Sequence, residues 1–173
     1  MNDEARRDAL IERIDEVRDR WRRLVRDVGP DRLEEPGAMG DWTFKDVAAH
    51  LTAWRRRTVG RLAAAARGEP EPPPPWSAEL PGDAEDDPIN DWIHERTKNR
   101  PAGELMAESD AVYDDFVAAI RALPIGMVTD AHRFAWLEGA ALADSDFGGH
   151  LDEHEPGVRA WLARVGGPAS ASG

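Results

Sequence analysis

Apolar residues recur at Leu10, Ile14, Val17, Trp21, Leu24 and Val28, in alternating steps of four and three, the single stripe that an amphipathic helix needs. The pattern predicts a helix from Asp3 to Val28, ended by Gly29-Pro30. A second helix starts near Thr43, because Thr43-Phe-Lys-Asp46 is a close variant of the capping box. Its inward line reads Val47, His50 or Leu51, Trp54, Thr58 and Leu62, and four alanines carry it toward Gly68. A third stripe, Leu105, Ser109, Val112, Phe116, Ile120 and Leu123, begins near Gly103 and stops at Pro124. The last comprises Phe147, His150 or Leu151, His154, Val158, Trp161 or Leu162, and Val165, with Gly166-Gly167-Pro168 as its end.

The connections are as informative. Seven of the thirteen prolines lie between Gly68 and Pro88, which reads as a semi-rigid surface loop covering one end of the molecule. Asp87 or Pro88 opens a helical segment through Ile89, Trp92 and Ile93, interrupted by Pro101. From Ile125 to Ser145 no period is sustained, so a loop with at most one short helix is expected. No segment alternates with period two over a strand's length. The fold class is therefore all-α: a four-helix bundle with long loops after the second helix and before the last. Residues 1–166 form a single domain, and 167–173, small and polar, form a disordered tail.

Composition narrows the partners. Thirty-four acids against 22 bases give a formal charge of −12 over 173 residues, a surface that repels phosphate and disfavours general nucleic-acid binding. The eight arginines from Arg6 to Arg26 are interleaved with acids, as in a solvated face laced with i,i+4 ion pairs. With no cysteine, disulfides, thiolate metal sites and a cysteine nucleophile are excluded, and any metal must sit on histidine and carboxylate. No signal-peptide pattern opens the chain and no run approaches the ~18 apolar residues of a membrane span, so cytoplasm is the expected location and no membrane partner is expected. No phosphate loop, G-x-S-x-G elbow or dinucleotide fingerprint occurs, which disfavours nucleotide chemistry.

Three of the five histidines fall on the apolar stripes. His150 and His154 are one helical turn apart, so their imidazoles can converge on one ion, and His50 from another helix would complete a three-nitrogen set with an open fourth position. The competing reading is of buried histidines that hydrogen-bond to neighbours. Pro156 leaves two geometries open: a last helix that starts only there, with both histidines on a loop, or a kinked helix that carries them.

The segment Asp41-Trp-Thr-Phe-Lys-Asp-Val-Ala-Ala-His50-Leu-Thr-Ala-Trp54 resembles the W-[ST]-x-K-D-x-x-A-H-L-x-x-W signature of the DinB-like superfamily of four-helix bundle metalloproteins. Gly149-His150-Leu-Asp-Glu-His154-Glu-Pro-Gly-Val-Arg-Ala-Trp161-Leu looks like that superfamily's H-x-x-E-H motif and its I-R-A-W-L ending. Asn90-Asp-Trp-Ile-His-Glu-Arg96 and Glu108-Ser109 resemble the ClbS/DfsB-type branch. The resemblance implies a bundle in which His50, His150 and His154 bind a divalent ion, commonly zinc or nickel, at the mouth of a pocket. It does not single out a reaction: some relatives activate a low-molecular-weight thiol, and some hydrolyse a strained electrophile to protect the producing cell.

Residues around the triad supply further candidates. Asp46, one turn before His50, is either a group that orients or joins the ligands or simply the capping acid. Asp46 or Glu95 would manage a proton, and His94 together with Trp42, Trp54, Trp92 and Trp136 would wall a substrate pocket. His132 reads as a solvated loop group, and Asp110 and Tyr113 as surface groups in preference to proton donors. The resulting expectation is a metal-dependent transferase or hydrolase that acts on a small electrophilic metabolite by thiol transfer or hydrolysis, in detoxification or self-resistance. The alternative is a non-catalytic protein that sequesters a small molecule in the same cavity. A homodimer is one open option for its assembly.

Overall fold

The computed structural model describes residues 2–166, and the predicted tail at 167–173 lies outside them. Four long helices make the bundle: α1 (Asp3–Val28), α2 (Phe44–Ala66), α4 (Ala102–Ala122) and α6 (Gly149–Val165). A shorter α3 (Asp86–Thr97) follows the proline-rich loop, and a single turn, α5 (Ile125–Thr129), follows α4. No helix among the described residues is long and apolar enough to cross a membrane.

Helix α1 starts where the Asn2 carboxamide accepts the Ala5 N–H at 2.8 Å, with Asp3 and Glu4 placed against the positive end of the helix dipole. All six residues of its predicted stripe are buried, joined by Ile11. Trp21 lies near the middle of this face, stacked on Phe44 of α2 at 5.3 Å, and its indole N–H donates to Ser109 Oγ of α4 at 3.0 Å. That bond explains why a serine occupies the third apolar stripe: the buried indole needs an acceptor.

The arginines of α1 depart from the expected i,i+4 lacing. Arg18 reaches Asp110 and Asp114 of α4, Arg22 reaches Asp110, Arg20 reaches Asp152 and Glu155 of α6, and Arg6 reaches Asp144. Among the described residues the pair within α1 is Asp19–Arg22, three apart and 3.9 Å long. A long side chain at the edge of a packed face is already close to the neighbouring helix, so the charges tie elements together instead of decorating one.

Between α1 and α2 runs a two-stranded antiparallel ribbon, β1 (Pro36–Met39) and β2 (Trp42–Thr43), which the alternation test did not reveal because strands of four and two residues are too short to show a period. The ribbon turns at Gly40, φ 58°, and Gly37, φ 108°, lies against Trp161 of α6, where an added Cβ would come within 3.1 Å of the indole. It fixes where α2 starts. Thr43 then caps α2: its hydroxyl accepts the Asp46 N–H, while Asp46 Oδ2 accepts the Thr43 N–H at 2.9 Å, the full reciprocal box.

The proline-rich loop is anchored. Arg57 donates to the Pro72 carbonyl at 2.6 Å and to Glu71 at 2.7 Å, and Trp76 turns inward to form a small second cluster with Ile89 and Ile93. Trp54 packs on that cluster and donates to the Asn90 carboxamide at 3.1 Å, which holds α3 against α2. From 125 to 145 the structure has α5 plus two single 3₁₀ turns, Ala135–Leu137 and Leu142–Asp144, in keeping with one short helix in an irregular stretch.

Candidate metal centre

Pro156 is accommodated inside α6, which starts after Gly148 and passes through it, so His150 and His154 are helical and the loop alternative is excluded. The proline costs one backbone bond, to the Asp152 carbonyl. Gly148 allows the start: a Cβ there would stand 3.2 Å from Val17 of α1. Because α6 packs against the first half of α2, residues one hundred positions apart in the chain meet. His50 Nε2 lies 2.8 Å from His150 Nε2 and 3.2 Å from His154 Nε2. The three ring centroids are 4.7 to 5.0 Å apart.

Whether these residues suit a cation follows from their protons. Burial, and then the other two imidazoles, push His50 down to about 3. Burial and then His154 push His150 down to about 4, and burial lowers His154. All three are therefore neutral at pH 7, each with one lone pair. No carboxylate bonds to them, and His50 Nδ1 is buried with no partner among the described residues. Hydrogen bonding alone leaves His50 Nε2 to serve two neighbours with a single role. A divalent ion resolves this, since three nitrogens at the usual ~2.0–2.1 Å around a tetrahedral zinc stand only about 3.3 Å apart. Of the groups of three or more histidine or acidic side chains, this one has its ligand atoms within 4.8 Å of one another.

The imidazoles open onto a cavity of about 340 Å³, shared with Trp54, Asn90, Asp86 and Glu153. The other predicted residues divide. Trp42 stands edge-on to His50 at 5.9 Å and stacks on His94 at 4.9 Å. Asp46 is the capping acid, and its second oxygen, Oδ1, is buried without a hydrogen bond and faces His94 Nε2 at 3.7 Å. Trp92 lines a separate cavity with Trp76 and Leu105. Trp92 thus stays outside the imidazole cavity, and two further candidates do not join it either. Glu95 is exposed and holds Lys98 at 2.6 Å, because it lies on the outer face of α3. Trp136 packs on Phe134 and under Arg61, bordering a different cavity.

Sequence reasoning missed Asn90, which belonged to a quoted resemblance but had no assigned role, and Arg55, hidden in the run Trp54-Arg-Arg-Arg-Thr58. The signal for Arg55 was its place on the line of Ala48, Leu51 and Leu62, all buried. Tyr113, read as a surface group, is 2% exposed because its ring carries the Arg55 guanidinium.

Residues 14–155 match the family model described as mycothiol maleylpyruvate isomerase N-terminal domain, a span that begins in α1 and includes His50, His150 and His154. No curated protein and no solved structure matches the chain. The chain therefore belongs to the mycothiol maleylpyruvate isomerase N-terminal domain family, within the DinB-like superfamily.

Proposed function

We propose that this protein is a divalent-metal-dependent enzyme that acts on a small electrophilic metabolite by transferring or adding a low-molecular-weight thiol. The observation that carries the reading is the meeting of three neutral imidazoles, one buried and two half-buried, at a cavity large enough for a small molecule. The family, named for a mycothiol maleylpyruvate isomerase, supports the thiol. Hydrolysis is the variant of the same chemistry with water in the thiol's place. A role in detoxification or self-resistance follows from the electrophilic substrate, and assignment to the ClbS/DfsB branch rests on the Asn90–Arg96 and Glu108-Ser109 resemblance.

His50, His150 and His154 would hold the ion, zinc or nickel by the chemistry of a three-nitrogen set. Bound there, such an ion lowers the pKa of a coordinated thiol or water toward neutrality. The chain's own groups divide the remaining work. Trp54 walls the cavity and, through its bond to Asn90, holds α3 and α2 together at its edge. Trp42 buttresses His50 from the side. Asp46 Oδ1 beside His94 Nε2 makes a carboxylate–imidazole couple able to take up a proton, a better-placed pair than Glu95.

Elemental analysis of untagged protein, followed by turnover with an added thiol and an electrophile, tests the reading. It predicts one zinc or nickel per chain and loss of electrophile well beyond one equivalent. Protection that stops at one equivalent identifies a sequestering protein instead.

A further inference from the structure

Arg55 is 8% exposed, and neither Nη1 nor Nη2 has a hydrogen-bond partner among the described residues. Its guanidinium lies 4.6 Å above the ring of Tyr113, a contact that positions the plane but supplies no counter-charge. The phenol cannot supply one either, since burial raises its pKa and it stays protonated. An arginine keeps its proton even when buried, so a positive charge sits inside the bundle with no anion against it. An isolated buried ion costs several kcal/mol. This chain, with 34 acids, pairs its exposed arginines readily elsewhere.

Arg55 borders a cavity of about 190 Å³ lined also by Trp54, Thr58, Phe116, Phe147, Asp146 and His150. Asp146, the acid in that lining, directs Oδ1 to the Gly148 N–H at 2.8 Å and makes no ion pair with Arg55. Trp54 and His150 border this cavity and the one above the imidazoles alike, so a molecule in one is within reach of the other. Aromatic walls beside a buried, unpaired guanidinium describe a receptor for a planar anion on an apolar body.

We propose that Arg55 is the anion-receiving residue of this protein, and that the ligand is a small carboxylate whose apolar part lies against Trp54, Phe116 and Phe147. The position itself depends only on Arg55 and the cavity. That the carboxylate belongs to the substrate rests on the reading of the three imidazoles as the reaction centre, with the carboxylate at Arg55 and the electrophilic carbon directed toward His150.

Calorimetric titration of metal-stripped protein with benzoate, and with neutral benzamide of the same shape, tests the position apart from catalysis. Benzoate is expected to bind at least tenfold more tightly than benzamide. Arg55→Met should remove that preference, and Arg55→Lys, which keeps the charge but not the fork, should weaken benzoate about tenfold. Arg18→Met, on the distant seam with Asp110 and Asp114, should leave benzoate binding within about twofold. Equal affinity for the two probes, or a preference that survives both Arg55 substitutions, overturns the proposal. Arg55→Lys carries the test if Arg55→Met does not fold. A benzoate preference in protein that takes up no zinc or nickel keeps the anion position and rejects the metal reading. Metal uptake without the preference does the reverse.

Discussion

On the seam between α1 and α4, Arg18 holds Asp110 at 2.8 Å and Asp114 at 2.6 Å, and Arg22 adds a second grip on Asp110 at 2.7 Å. In the cavity beside His150, Arg55 has the same guanidinium and, among the described residues, no carboxylate bonded to it. The seam is half open to water, where pairing two charges is cheap and adds little. Arg55 is buried, where an unpaired charge is costly and an acid within bonding reach would have relieved it. The contrast shows where stability has been given up, and the three imidazoles, likewise bonded to no carboxylate among the described residues, stand at the same place. Unrelieved cost of this kind marks functional sites, which natural proteins offset elsewhere in the fold.

The largest effect is expected at the imidazoles. His154→Ala removes one of the three proposed ligands and should reduce bound metal from the expected one per chain to below one tenth, while the helical circular dichroism persists. Full occupancy in that variant would break the assignment of this region to a metal.

The next test compares the two arginines directly. Arg55→Met should hold or raise the unfolding free energy, by about 1–3 kcal/mol, because it removes an uncompensated buried charge. Arg18→Met should lower it by about 1 kcal/mol, a figure discounted for the exposure of Asp110 and Asp114. Urea unfolding at pH 7 reads both. Destabilisation of several kcal/mol at Arg55 would show that the charge is satisfied within the fold and that the contrast is false.

The smallest effect is one of pH. Arg18 and Arg22 hold the Asp110 carboxyl well below the usual range, so the seam's contribution is complete above the unfolded value near ~4 and fades as the pH falls below it. The difference between wild type and Arg18→Met in urea should accordingly shrink from pH 6 to pH 2. A constant difference across that range would mean that Arg18 acts through packing alone.

Much of the fold was legible from period and punctuation. The α1 stripe, the Thr43 cap, the Pro124 stop and the irregular stretch after it depend on neighbours within a few residues, where local chemistry dominates. The β1–β2 ribbon was not, since strands of four and two residues show no period and the ribbon packs on residues distant in the chain, Gly37 against Trp161 among them. The direction of the α1 arginines was not either, because which helix lies beside Arg18 is a tertiary fact. In the site, His50, His150 and His154 stood out by their place on apolar lines. Arg55 was lost among three consecutive arginines, and Trp92, Glu95 and Trp136 fall outside the imidazole cavity, because proximity in sequence to a candidate says nothing about which face a residue occupies.

By itself, then, the order of residues determined the helices, their inward faces and the three histidines that had to point inside, since a helix of 3.6 residues per turn converts spacing into direction. Only packing decided that α6 would meet α2 at His50, that Asp46 would turn its free oxygen to His94, and that Arg55 would be enclosed without an acid. Those outcomes depend on which surfaces bury each other, and burial is what changes an imidazole or a guanidinium from a solvated group into a chemical one.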